Sequence, residues 1–285
     1  MKLSIITINY NNAAGLRRTI ESVASQSNRD FEYIIIDGGS TDGSVPMFQR
    51  FNASTLQRFF WTSEPDNGIY HAMNKGIRMA KGEYVHFLNS GDWLVDDYVV
   101  EKMLDELNEL ILQGQQPDVF VGNKIMVRPD GKIRHGHNDK RPVTTFTFFR
   151  GTIEHTSAYI RRALFDTVGL YDETFRIVSD WKWYFEAVLH HDIRVSFTDL
   201  YVTYFDNTGI SSTNLQLDKA ERRQVLEQML PPALLADYDS YSFYIDQMER
   251  LKRYPVIYKL VYLVERVLFK FDKWNYKYWS WKQKK

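Results

Sequence analysis

The stretch SEPDNGIYHAMNKGIRMAKGEYVHFLNSGD, residues 63–92, holds a helix and a strand between two polar clusters. Ile69, Ala72, Met73, Ile77 and Ala80 recur at helical spacing, which predicts a helix over 69–80. Gly82 stops it, and the apolar run YVHFL at 84–88 reads as a buried strand. The same alternation repeats upstream. Strands are expected at 3–8, 31–36 and 58–62, with helices at 16–25 and 45–51 between them. Strands alternating with helices predict right-handed βαβ units and a mostly parallel sheet flanked by helices, an α/β fold. Ligands of such sheets bind at the carboxyl ends of the strands.

Downstream the character changes. A helix is expected at 98–112. Two strands, 119–127 and 132–135, flank RPDGK, whose Pro-Asp-Gly order favours a hairpin. Helices are expected at 161–168 and 181–190 and strands at 194–198 and 200–205, an α+β section that can extend the same sheet. From about 216 the pattern is helical. The expected division is 1–215, with halves 1–95 and 96–215, followed by a helical extension over 216–285.

Of 285 residues, 44% are hydrophobic and 25% charged, ordinary for a soluble protein with a full core. The absence of cysteine excludes disulfides, thiolate metal ligands and cysteine nucleophiles. No apolar run approaches the roughly 18 residues a spanning helix needs. The opening MKLSIITINYNN turns polar too soon for a signal peptide. A cytoplasmic body is the expectation. The net charge of zero conceals an asymmetry: residues 250–285 carry 11 Lys+Arg against 2 Asp+Glu, leaving 25 against 34 in the remainder. A basic tail on an acidic body is suited to an anionic surface.

Four polar clusters fall at expected strand ends: TINYNN (7–12), DGGSTDG (37–43), SEPDNG (63–68) and NSGD (89–92). Turn chemistry explains each cluster alone. Together, on one edge of a parallel sheet, they line a crevice suited to a nucleoside diphosphate. A lone Asp beside Gly and Ser can hold a hard divalent cation, because phosphate oxygens and water fill the other positions. Asp92 is the candidate metal ligand, and Asn89 can add a neutral oxygen.

These residues, with SIITINYNN, IIIDGGSTDGS and SDWKWYFEA, resemble glycosyltransferase family 2 over roughly residues 2–205. The resemblance implies an inverting enzyme of the GT-A fold that uses a nucleotide-sugar donor, UDP-linked by first expectation. It is closest to bacterial members that build capsule, exopolysaccharide or O-antigen chains. It implies that Thr7, Asn9 and Tyr10 border the nucleoside and that Asp37 faces base or ribose. Asp66 and Lys75 then help hold the nucleotide and its phosphates, and Asn89, Ser90 and Asp92 take the place of the Asp-x-Asp metal motif with Mn2+ or Mg2+. Asp180 falls at the catalytic-base position, and His155 at a recurring histidine near the active site. Lys75 or His155 would assist the departing phosphate. Three departures stand out. Gly38 follows Asp37 where many members carry a second acid that can read uracil, NSGD keeps only its last carboxylate, and His71 replaces a common Asp.

Local alternatives remain at this level. Asp180 can cap the helix after it, Asp92 can serve a turn, Lys75 can be a solvated helix lysine, and His155 can be structural. Trp181 and Trp183 can be acceptor walls or core. Asp37, directly after YIII, has no partner nearby in sequence. In the tail, Ile257, Leu260, Val261, Val264, Leu268 and Phe271 share a stripe, with Lys259, Arg266, Lys270 and Lys273 elsewhere around the helix. Trp274, Tyr276, Tyr278, Trp279 and Trp281 mix with lysines at its end. The expectation is a peripheral foot on the inner face of the cytoplasmic membrane, near a glycan or lipid-linked acceptor. The alternatives are packing on the body or a homodimer. Nucleic acid is not an expected partner. Two other functions stay open: a nucleotidyltransferase, whose Gly-rich basic loop NYNNAAGLRR matches poorly, and a degenerate, non-catalytic nucleotide-sugar binder or scaffold.

Overall fold

The computed structural model describes residues 1–51, 56, 58–138, 140–209 and 213–282, with the side chains of Arg150, Asp246, Glu249 and 274–282 outside that description. The aromatic and lysine-rich end of the tail therefore lies outside the described side chains. The chain divides into two compact units, Met1–Val225 and Leu226–Lys285.

In the first unit, β1 (Leu3–Asn9), α1 (Ala13–Ala24), β2 (Phe31–Asp37), α2 (Ser44–Arg50), β3 (Phe59–Ser63), α3 (Ile69–Met79) and β4 (Tyr84–Phe87) alternate. They form the parallel half of the sheet, in the order β3-β2-β1-β4. There follow β5 (Trp93–Leu94), α4 (Val99–Leu112), β6 (Val119–Val127), β7 (Ile133–His135), α5 (Thr147–Arg150), a 3₁₀ turn (His155–Ser157), β8 (Ala158–Arg161), α6 (Leu164–Thr167), α7 (Ser179–His190) and β9 (Val195–Asp206). The sheet continues past β4 as β8-β6-β9-β5, with β7 hairpinned onto β6. β8 is antiparallel to both β4 and β6, whereas β9 runs parallel to β6. Helix α8 (Leu215–Met229) begins in the first unit; α9 (Pro232–Lys252) and α10 (Pro255–Lys282) lie in the second.

Two expectations change. The helix expected over 161–168 is only Leu164–Thr167, and the residues before it form β8, the strand joining the two halves of the sheet. The two strands expected at 194–198 and 200–205 are one strand, β9, whose register against β6 shifts around Asn123.

Every residue of β2, FEYIIID, is buried, as befits a parallel strand covered on both faces. Leu16, Ile20 and Val23 of α1 and Val100, Met103, Leu104 and Leu107 of α4 join Leu3, Ile5, Tyr33 and Ile35 in one core. On α3, Gly76 makes a close approach possible: a Cβ there would lie 2.5 Å from Ile6 Cγ2. The helix rests directly on β1, and its amino end is thereby fixed at the carboxyl edge of the sheet.

His86, central in β4, is fully buried, with Nδ1 donating to the Ala158 carbonyl at 3.1 Å and Nε2 without a partner. Burial depresses its pKa to about 4, and the nearby His155 acts in the same direction. The unfolded imidazole titrates near 6.5, so this contribution to stability is present above that pH and is lost as pH falls towards 4. At about 1.4 kcal/mol per unit, the full loss is about 3 kcal/mol. Urea unfolding at pH 7 and pH 5 measures it. His86→Asn, which retains the bond to Ala158, is expected to unfold with a shallower acid dependence than the parent.

Candidate active site

The carboxyl ends of β1, β2 and β4 border a cavity of about 910 Å3. Six of the residues singled out in the sequence line it: Asn9, Tyr10, Asp66, Asn89, Ser90 and Asp92. Phe205 and Asp206, from the end of β9, complete its wall. Thr7, Asp37, Lys75, His155 and Asp180 are not in the lining.

Thr7 is buried, bonding the Leu88 carbonyl at 2.7 Å and the Tyr33 hydroxyl at 3.0 Å, so it ties strands together behind the wall. Among the described residues, Asp37 is held by five hydrogen bonds. Its Oδ1 accepts from Asn9 Nδ2 at 2.7 Å and Ser40 Oγ at 2.6 Å. Its Oδ2 accepts from the amides of Gly39 and Ser40 and from Ser63 Oγ. Burial acts to raise its pKa, but the bonds from Ser40, Ser63 and Asn9 outweigh it and hold the carboxyl below its usual range. Asp37 is thus the ionised hub that ties the ends of β1 and β3 to the loop after β2.

Asp66 stands where the missing second acid would point. A Cβ on Gly38 would lie 2.8 Å from Asp66 Oδ2 and 3.2 Å from the Tyr10 ring. Position 38 has no side chain because a carboxylate from the β3–α3 loop fills that space. Tyr10 itself is 67% exposed, its ring free to stack on a ligand. Lys75 is committed elsewhere: its Nζ lies 2.8 Å from Glu64 Oε1 and 3.4 Å from the Pro65 carbonyl. It anchors this loop to α3.

NSGD is a tightly held turn. Asn12 Nδ2 donates to the Ser90 carbonyl and hydroxyl. Thr19 Oγ1 donates to the Asp92 carbonyl at 2.7 Å and accepts the Gly91 amide at 3.1 Å. Gly91 has φ +108°, and a Cβ there would lie 3.3 Å from Asn12 Nδ2. Gly91→Ala is expected to cost about 1–2 kcal/mol through left-handed strain, measured by urea unfolding, and to displace Asp92.

The Asp92 carboxyl is 5% exposed. Burial, reinforced by the negative charge of Asp206, raises its pKa to about 7 against the opposing Asp206 amide, Lys124 and Arg18. Its Oδ1 accepts the Asp206 amide at 2.9 Å, and among the described residues no hydrogen bond reaches Oδ2. The side-chain oxygen of Asn89 is buried without a partner. A carboxylate short of positive charge, a second carboxylate beside it and an orphaned amide oxygen, all on one cavity wall, form a donor set that fits a hard cation completed by phosphate and water. No group of three or more acidic, His or Cys ligands is present among the described residues. Asp206 escaped the sequence reading because the expected strand stopped at Phe205. Its signal was an acid immediately after an apolar strand, the same pattern as Asp37.

Asp180 is the second residue of α7, one residue inside the helix and so not its cap. Its Oδ1 accepts from Tyr70 Oη at 2.8 Å, an O–H shared with the Ile177 carbonyl at 2.5 Å. Tyr70 is the neighbour of Ile69, which lines the cavity; Tyr70 and Asp180 themselves are not in that lining. Glu221 of α8 accepts the amides of Arg176, Ile177 and Val178 and so fixes the turn into α7. No sequence pattern marked it. His155 is buried, stacked on Phe87, with Nε2 2.9 Å from Tyr171 Oη. Burial lowers its pKa, with the Asp180 charge opposing. Its ring packs against Phe87 and Tyr171 and is not in the cavity lining. Trp181 and Trp183 are core residues, 1% and 3% exposed, whose indoles donate to carbonyls of Phe148 and Gly151 and of Gly169.

A parallel half-sheet with a cavity and carboxylates at its carboxyl edge is the arrangement in which α/β folds bind their ligands. Glycosyl transferase family 2 matches residues 4–169, more than half of the chain, and the chain belongs to that family: it is a glycosyltransferase. It is 28% identical over 211 residues, 74% of this chain and 79% of the relative, to the PGL/p-HBAD biosynthesis glycosyltransferase of Mycobacterium bovis (strain BCG / Pasteur 1173P2). Among solved structures, S. aureus TarS 1-349 in complex with UDP-GlcNAc is similar with TM-score 0.60 and 20% identity, covering 82% of this chain and 69% of that one. The mannosyltransferase PcManGT from Pyrobaculum calidifontis, in complex with GDP-Man and Mn2+, gives 0.57 and 17%, covering 85% and 69%. At these identities the structural likeness establishes the fold, GT-A.

Proposed function

We propose that this chain is an inverting transferase that moves a sugar from a nucleoside-diphosphate sugar, with UDP as the first expectation, to a glycan or lipid-linked acceptor in bacterial surface polysaccharide synthesis. The observation that carries the reading is the cavity itself, lined by Tyr10 and Asp66 and by Asn89, Asp92 and Asp206. Tyr10 offers a ring to the base, and Asp66 accepts N–H groups at its edge. Mn2+ or Mg2+ would be held by Asp92 with Asp206 and Asn89. When bound, the cation neutralises charge on the departing diphosphate.

Asp180 accepts the proton of the acceptor hydroxyl as that oxygen bonds to the anomeric carbon. The bond from the anomeric carbon to the diphosphate oxygen breaks, and its electron pair leaves with the diphosphate. Tyr70 holds Asp180 Oδ1, leaving the other oxygen for the proton. Incubating the protein with UDP-, GDP- and dTDP-sugars and an acceptor lipid fraction, and measuring released nucleoside diphosphate, tests this. Release from one donor supports the transferase. A protein that binds a donor but never turns it over is the non-catalytic binder.

The second unit supports a place at a membrane surface. On α10, Val256, Ile257, Leu260, Leu263, Val264, Val267, Leu268 and Phe271 are exposed, as are Tyr262 and Phe269 beyond the basic stripe. At 100° per residue the former share one broad arc, whereas Lys259, Arg266, Lys270 and Lys273 fall together within about 60° at its border. No helix among the described residues is long and apolar enough to cross a membrane. The helix would lie in the interface of an anionic bilayer, apolar arc down and basic stripe at the headgroups. Two copies would bring together two tails of the same positive excess, which disfavours a dimer through this surface. Cosedimentation with phosphatidylglycerol vesicles, lost in Lys270→Glu/Lys273→Glu, is the expected result.

A further inference from the structure

Arg18 is the unassigned charge nearest the proposed metal site. Its Nη2 lies 3.1 Å from Asp206 Oδ2. Its guanidinium sits 4.8 Å above the Trp93 ring, and Trp93 stacks on Tyr204 at 5.0 Å. The register pairing Trp93 with Tyr204 puts this aromatic shelf beside both carboxylates, since Asp92 precedes Trp93 and Asp206 lies just past Tyr204. The Arg18 side chain is 49% exposed and so has room to move. Lys124, the other cation acting on Asp92, is 2.6 Å from Glu154 and has its own anion. Arg18 differs: its partner is a carboxylate of the cavity wall.

Both oxygens of Asp206 are engaged. Oδ2 holds Arg18, and Oδ1 accepts the amide and hydroxyl of Thr208 at 3.1 and 2.8 Å. A divalent cation that takes Asp206 through Oδ2 must displace the guanidinium, and the two cations then repel each other. A guanidinium freed beside a diphosphate has a matching partner, because its planar fork pairs with phosphate oxygens.

We propose that Arg18 is a built-in counter-cation that competes with the divalent metal for Asp206 and passes to the donor's diphosphate when the metal binds. Metal and nucleotide thereby favour each other's binding: the metal releases Arg18 to the phosphate, and the phosphate removes Arg18 from the metal's ligand. The inference rests on the metal reading given above.

Mn2+ binding followed by the electron paramagnetic resonance signal of the free ion tests it, in the full chain, with and without UDP. Without nucleotide, Arg18→Gln should bind Mn2+ about threefold or more tightly than the parent. Arg18→Lys, which keeps the charge, should stay near the parent. The enhancement of Mn2+ affinity by UDP should shrink by a similar factor in Arg18→Gln. Unchanged or weaker Mn2+ binding by Arg18→Gln alone overturns the competition, as does identical behaviour of the Lys and Gln variants. Asp92→Asn separates the two claims. If the parent with UDP binds no Mn2+ through Asp92, the metal reading has failed and the role of Arg18 falls with it. If Asp92 is required and Arg18→Gln changes nothing, only the present inference is wrong.

Discussion

Asp92→Asn is expected to make the metal-free protein more stable while removing its transferase activity. The Asp92 carboxyl titrates at about 7 because it is buried beside Asp206, against about 4 in an unfolded chain. A folded pKa above the unfolded value means that stability present at acid pH is lost as pH rises between about 4 and about 7. At neutral pH the penalty is on the order of 2–4 kcal/mol. Asparagine keeps the shape and can still accept the Asp206 amide, but it carries no charge to bury. For a unit of this size, Tm should rise by roughly 4–16 °C. Saturating Mn2+ and nucleotide should stabilise the parent and leave Asp92→Asn unaffected. Activity should fall by about 10²–10³-fold, the scale for losing one electrostatic group at a developing charge. Thermal unfolding at pH 5 and pH 7.5 supplies the check: the stabilisation should be larger at pH 7.5.

Asp180→Asn should have an equally large effect on turnover and almost none on donor affinity. The amide oxygen still accepts the Tyr70 O–H, and Glu221 still holds the turn into α7. What is lost is a group able to take a proton from the acceptor hydroxyl. Such a loss costs about 10²–10⁴-fold in rate. Single-turnover measurement with saturating donor should place the defect in the chemical step, and the Kd for nucleotide should change less than about twofold. Weakened nucleotide binding would instead make Asp180 part of the donor site.

The parallel half of the fold could be read from short-range pattern. Residues 69–80 show one helical face, FEYIII one uninterrupted apolar run, and each strand ends in an acid, amide or glycine cluster. Those signals are local because a βαβ unit is built from consecutive elements. β8 was not legible in the same way. Four residues, Ala158–Arg161, separate a 3₁₀ turn from a short helix, and only pairing with β4 and β6 makes them a strand. Asp206 and Glu221 were missed for a related reason. Each acts across a long sequence separation, Asp206 on Asp92 and Glu221 on the turn before α7. Asp37 is legible as an acid after an apolar strand, but its partners are not, because Asn9 and Ser63 come from the ends of two other strands. His155 and Lys75 stand out in the sequence as residue types; the burial of one and the pairing of the other come from contacts that the sequence does not show.

The most direct test of the central claim, that this cavity binds a nucleoside diphosphate through a metal held at Asp92, is calorimetric titration of the protein with UDP, GDP and dTDP, each with and without Mn2+. The account predicts tight binding of one nucleotide only when Mn2+ is present, abolished in Asp92→Asn. Equal binding with and without metal, or binding that survives in Asp92→Asn, would contradict it.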